Sequence, residues 1–194
     1  MSLTPQGRLQ RAPDFTGQRL TTFKEVIYRH GLPGLALGLV CLATPAMYNY
    51  ARTGVQPALE TPLLYTLGFV AVLIGLVGYS KLRHGGVNQQ QLRWILYLGA
   101  LSAWEEWVFR LALPYWLQDV GISLTVAVII SNLLFAGAHY FTLRWRWQWC
   151  LGAFLGGLAL SRQMHVQGDL LLLIGIHWVG TFLNTPRPPD HRAS

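Results

Sequence analysis

Long apolar runs recur along this sequence of 194 residues, each about as long as a bilayer is thick. A hydrocarbon core of about 30 Å takes about 20 mostly apolar residues to cross as an α-helix. Only a helix or a closed barrel satisfies backbone N–H and C=O groups where there is no water. That template fits six segments, at about 32–50, 62–80, 94–117, 121–142, 147–163 and 168–185. The expectation is an all-α polytopic membrane bundle of about six transmembrane helices. The fifth segment is the weakest match, and its Gly152, Gly156 and Gly157 would let another helix approach closely. Charged residues make up 12% of the chain, about half the share of a soluble domain, which argues against a soluble globule and against disorder.

The net charge of +7 would suit a nucleic-acid partner if the basic residues formed one patch, but they fall in small groups between the apolar runs. No zinc-finger spacing or aromatic RNA-binding pattern accompanies them, so no nucleic acid is expected. Counted over alternate loops, twelve lie on one side: Arg8, Arg11, Arg19, Lys24, Arg29, Lys81, Arg83, Arg93, Arg144, Arg146, Arg187 and Arg192. Arg52 and Arg162 lie on the other, and Arg110 lies within a span. Cytoplasmic loops hold the excess, so both termini are expected in the cytoplasm, beside the anionic inner leaflet. The organisation is then a basic cytoplasmic tail over 1–31, a membrane domain over 32–185 and a short cytoplasmic tail over 186–194. The first apolar run has no small-residue cleavage site, so it reads as a retained anchor rather than a removable signal. Cys41 and Cys150 each sit in an apolar run, where a thiol behaves as a small hydrophobe and no disulfide is expected.

Six of the eight acidic residues fall in tails, loops or span ends, while Glu105 and Glu106 stand in the middle of the third span, with Arg110 in the same helix. One charge at a helix centre costs about 2.5–3.5 kcal/mol on insertion scales, so three within six residues are retained for a use or a compensation. Glu106 and Arg110 are four apart with the glutamate N-terminal, the favourable order for an ion pair. Glu105 points about 100° away and needs other partners. The fourth span carries Asn132, Phe135 and His139, and the sixth carries His177, Thr181 and Asn184 as one polar stripe. Polar groups on three spans all have to face the bundle interior, and so they converge.

These residues resemble a known family. Glu105, Glu106 and Arg110 match the EExxxR signature, and Phe135 with His139 the FxxxH signature, of the CAAX protease and bacteriocin-processing (CPBP) intramembrane proteases. The prenyl-protein endopeptidase that trims CAAX tails belongs to that group. The resemblance covers roughly residues 92–185. It implies that Glu105 activates a water together with His139, that His177 and an amide donor stabilise the oxyanion, and that Glu106 and Arg110 support the helix. The family's last motif is HxxxN, whereas this chain has Thr181 four residues after His177 and Asn184 only at the seventh. Either Thr181 donates with its hydroxyl, or Asn184 reaches back, or the oxyanion site is degraded. If the third helix stopped at Pro114, His139 would lie about 10 Å nearer the cytoplasmic end than Glu105, so that span is expected to continue through a kink.

The leading reading is an intramembrane endopeptidase acting on a membrane-associated protein or peptide, in a bacterial inner membrane or, for a photosynthetic source, a thylakoid. An inactive member of the same fold that binds or assembles other membrane proteins, or confers immunity, is the alternative. A proton-coupled transporter is a third, disfavoured by the lack of repeat symmetry. Glu105, His139 and His177 would suit zinc as two nitrogens and a carboxylate, yet there is no H-E-x-x-H helix, and a metal-free mechanism without cofactor is expected.

Overall fold

The computed structural model describes residue 20 and residues 22–189, which form seven helices and no strand. In chain order these are α1 (Phe23–Ala43), α2 (Pro45–Glu60), α3 (Pro62–His84), α4 (residues 89–119), α5 (Leu124–Thr142), α6 (Trp147–Gln167) and α7 (Leu170–Asn184). The fold is all-α. By length and composition α1, α3 and α5 are each apolar enough to cross a membrane, and α7 is apolar but only 15 residues long. The protein is a membrane protein. The first 19 residues and the last five, with their share of both expected tails, lie outside the described residues.

The first expected span needs correction at both ends. Helix α1 starts at Phe23, inside the stretch assigned to the tail, because Thr22 and Glu25 close a reciprocal capping box. It ends at Ala43 because Thr44 precedes a proline and is held extended, with Pro45 opening the next helix. The run read as one span over 32–50 therefore belongs to two helices. Helix α2 carries Asn49, Arg52 and Glu60 and is not among the membrane-length apolar helices. Its end repeats the device: Thr61 leaves the helix before Pro62. Further on, left-handed Gly85 and Gly168 terminate α3 and α6, and Asn88 and Asp169 cap α4 and α7 by accepting from Gln91 N and Leu172 N.

Helix α4 is the centre of the bundle. It runs as Gln89–Glu106, opens into a wider π turn over Trp107–Ala112 and continues through Pro114 to Asp119. The expected continuation past Pro114 is present. It meets the proline with a π turn just before it, one of the usual ways a helix absorbs such a residue. Trp94, Ile95 and Leu98 of α4 pack with Trp178 and Phe182 of α7 on one side of the glutamates. Trp107, Val108 and Leu111 pack with Met47 of α2, Met164 of α6 and Leu173 of α7 on the other. Meanwhile Leu63, Leu64 and Ile74 of α3 are each at least 65% exposed. Buried charges inside and leucines outside are the distribution that lipid as solvent selects.

Two glycines set how closely α1 lies on α4. A Cβ on Gly31 would meet the Tyr97 hydroxyl at 2.9 Å and its ring at 3.1 Å, and one on Gly38 would meet Trp104 at 2.5 Å. Seven residues apart, they share a face of α1 and seat it against the α4 aromatics. Trp107 Nε1 then donates to the Gly38 carbonyl at 3.3 Å, while Arg29 of α1 donates to the Phe141 and Thr142 carbonyls at the end of α5.

Candidate active site

Glu105 and Glu106 are adjacent on α4, and the helix turn sends them to different partners. Glu106 is fully buried, with Oε2 3.5 Å from Arg110 Nε and Oε1 2.6 Å from His177 Nδ1. Arg110 is itself buried, and its guanidinium lies 4.2 Å from the centre of the Phe135 ring. Phe135 in turn packs edge-on against His139, centroids 4.5 Å apart. The EExxxR and FxxxH residues thus form one continuous layer in which an ion pair, a cation–π contact and a ring contact lock α4 to α5. Gly157 of α6 closes this layer, since any Cβ there would strike Asn132 and Arg110. Of the expected small-residue series, Gly152 and Gly156 have nothing within 4 Å.

Glu105 faces three histidines. Oε1 lies 2.8 Å from His30 Nε2 and 3.6 Å from His139 Nε2, while Oε2 lies 3.5 Å from His177 Nε2. The orientation of His139 is legible from its other nitrogen. Nδ1 is 2.9 Å from the Phe135 carbonyl, which can only accept, so Nδ1 carries the proton and Nε2 turns a lone pair toward Glu105. Trp145 also packs against that ring, centroids 4.6 Å apart. Beside Glu105 a cleft of about 120 Å3 runs between α1, α4 and α5, lined by His30, Gly34, Leu37, Trp104, Phe109 and Ala138.

The sequence-predicted residues Glu105, Glu106, Arg110, His139 and His177 therefore meet. Thr181 is half-buried one turn beyond His177 and Asn184 is exposed; His177 is the member of that stripe that reaches the glutamates. The residue that sequence reasoning missed is His30, assigned to a polar tail. It could have been found from the Thr22-x-x-Glu25 capping signature, which starts a helix early enough to include it. Among the described residues, His30, Glu105 and His139 offer donor atoms within 4.8 Å of one another and are the set with the geometry to hold a metal ion. His177, which the disfavoured zinc alternative would have used with Glu105 and His139, is not part of that group.

A carboxylate beside a histidine lone pair and a small cleft is equipped to take a proton from water. A second histidine held by a buried carboxylate is equipped to face a developing negative charge. Residues 88–183 match the family model described as "Type II CAAX prenyl endopeptidase Rce1-like". The NADH-ubiquinone oxidoreductase chain 2 of Xenopus laevis is 38% identical over 81 residues, which are 42% of this chain and 21% of that protein. The chain thus spans about a fifth of the length of that curated relative. No solved structure matches the chain.

Proposed function

The chain belongs to the CAAX protease-like (CPBP) family, and from that premise we propose that it is a glutamate-dependent intramembrane endopeptidase. The observation that carries the reading is Glu105, buried and facing His139 Nε2 across 3.6 Å. That gap is too long for a good direct bond, and a water beside it would meet a carboxylate oxygen and a lone pair together. In the first step a water O–H bond breaks, its proton passes to Glu105, and the oxygen bonds to the scissile carbonyl carbon. The carbonyl π electrons move onto oxygen, and His177 lies where it would donate to that oxyanion. Collapse re-forms the carbonyl and breaks the C–N bond, and the proton held on Glu105 leaves with the amine. Glu106 holds His177 at 2.6 Å, and Arg110 balances the Glu106 charge. Thr181, half-buried one turn from His177, is the better placed candidate for the second oxyanion donor, and exposed Asn184 the poorer.

The substrate in this reading is a membrane-associated protein or peptide whose scissile segment enters by the apolar cleft beside Glu105. No nucleic acid, metal or other cofactor takes part. The compartment is a bacterial inner membrane, or a thylakoid in a photosynthetic source, with both termini cytoplasmic as the basic residues favour. The test is cleavage of a library of prenylated and unmodified membrane peptides by the purified chain in nanodiscs. Cleavage by wild type, undiminished by chelators and lost in Glu105→Gln and His139→Ala, supports the reading. A folded wild type that cleaves nothing in the library would remove it and leave the assembly or immunity role.

A further inference from the structure

His30 reaches Glu105 from a helix outside the family-matched region. It is buried, 6% exposed, and both ring nitrogens are engaged: Nδ1 lies 2.6 Å from Thr142 Oγ1, and Nε2 lies 2.8 Å from Glu105 Oε1. The hydroxyl fixes the direction of these bonds. Thr142 donates its one proton to the Ala138 carbonyl at 2.6 Å, so it accepts from His30 Nδ1–H. With the proton on Nδ1, neutral imidazole turns a bare lone pair on Nε2 toward a carboxylate oxygen. At 2.8 Å two lone pairs repel unless a proton lies between them.

A charge count over the cluster also calls for one proton. The ionisable groups facing Glu105 are Glu106 and Arg110 of its own helix, His139 of α5, His177 of α7 and His30 of α1, with the Tyr97 hydroxyl beside Gly31. Two carboxylates and one guanidinium leave one negative charge over, and an uncompensated buried charge is costly. One proton on a histidine bonded to a carboxylate neutralises the set, and both His30 with Glu105 at 2.8 Å and His177 with Glu106 at 2.6 Å have the geometry for it; the bond directions at Thr142 are what assign it to His30. His139 cannot hold it in the same way, since its Nε2 stands 3.6 Å off.

We propose that His30, oriented by Thr142, is a positioning residue of the hydrolytic site: it shares one proton with Glu105 and fixes the carboxylate against His139 and His177. His30 keeps this proton throughout, while Glu105 takes and returns the proton of the attacking water. The kinetic part of the inference rests on the endopeptidase reading, and the hydrogen-bond part does not. The helix built for this contact shows it locally: His30 sits in a π turn over Ile27–Gly31, flanked by Arg29 on the α5 carbonyls and by Gly31 against Tyr97.

Two measurements on the full chain in nanodiscs separate the parts. In peptide cleavage, His30→Ala should lower kcat about 100-fold with KM unchanged, the loss expected when a base is misplaced by about 1 Å. His30→Gln keeps an amide donor toward Glu105 and should recover about tenfold of that loss, and Thr142→Val should lose about tenfold where Thr142→Ser does not. Wild-type kcat in His30→Ala, or equal damage in the Ala and Gln variants, overturns the proposal. So does zinc bound in wild type and lost with His30, which would make the residue a ligand. Separately, with 15N-labelled histidine, the His30 signal is identified by its loss in His30→Gln. It should report a proton shared at Nε2 that disappears in Glu105→Gln. A His30 signal unchanged by Glu105→Gln overturns the shared proton even if wild type cleaves nothing, the result that would defeat the endopeptidase reading alone.

Discussion

Residues 88–183, the family-matched half, supply Glu105, Glu106, Arg110, His139 and His177 to the buried cluster, whereas residues 23–84 supply His30 to the same carboxylate. In the matched half the polar groups are held by one another: Glu106 by Arg110 and His177, and His139 by the Phe135 carbonyl and ring. In the other half His30 is held by its bond to Thr142 of α5, and its helix is seated by Gly31 and Gly38 on α4 and by Arg29 on the α5 carbonyls. Spacing within single helices therefore puts each member of the first set on an inward face. The second depends on where one helix comes to rest on another. The two halves should accordingly fail in different ways, the matched half by loss of chemistry or of charge balance and the N-terminal half by loss of alignment.

The largest effect expected is on chemistry. Glu105→Gln should lower kcat about 10,000-fold, the upper range for a general base, while thermal unfolding in nanodiscs stays near wild type because the amide still bonds His30. A variant that keeps even a tenth of the activity would break the assignment of the base to the matched half. Next is charge balance. Arg110→Met leaves Glu106 buried without its cation and should cost about 3–5 kcal/mol of stability; adding Glu106→Gln should recover much of that. If the double variant is no better than the single one, the pair is not what holds this layer.

The sequence shows the matched half more fully than the other for a physical reason. Glu105, Glu106 and Arg110 announce themselves because charge is expensive in lipid, and His139 and His177 because they interrupt apolar helices. The helical placement of α3, α5, α6 and α7 follows from the same apolar runs within a few residues. What hydropathy does not show is a break that changes no hydropathy. Thr44 before Pro45 divides an apolar stretch into two helices, and averaging over about 20 residues passes across it. At the other end Lys24, Arg29 and His30 make the start of α1 polar enough to resemble a tail, although the capping signature was present. The His30 to Glu105 contact joins residues 75 apart and is written in no spacing. The capping signature brings His30 into a helix, and the glycine face of α1 hints at where that helix rests.

That face gives the next test. Gly38→Ala places a methyl 2.5 Å from Trp104, and overpacking of this kind costs about 1–3 kcal/mol. The same change at Gly68 on α3, where nothing lies within 4 Å, should leave the unfolding temperature unchanged or raise it by about 1–4 °C, since alanine for glycine in a helix interior gains about 0.4–1 kcal/mol. If α1 shifts outward, Gly38→Ala also loses cleavage, and restoring space with Trp104→Phe should return part of both. Equal behaviour of Gly38 and Gly68 would mean that α1 is not seated by this contact, and the contrast between the halves would fail with it.

The smallest effect tests whether the start of α1 matters to the site at all. Thr22→Ala removes the hydroxyl that accepts from Glu25 N at 3.2 Å, and loss of such a cap costs about 1 kcal/mol. The frayed turn is the one leading into Ile27–Gly31, where His30 sits, so amide exchange should rise over Phe23–Val26 while α5 and α7 keep their protection. Thr22→Ser should be silent, because the smaller hydroxyl caps as well. Arg29 still ties the π turn to the end of α5, so the expected fall in kcat is about twofold rather than the hundredfold of His30→Ala. A hundredfold fall would place the weight of His30's alignment on the cap. No change in exchange would place all of it on the glycines and Arg29.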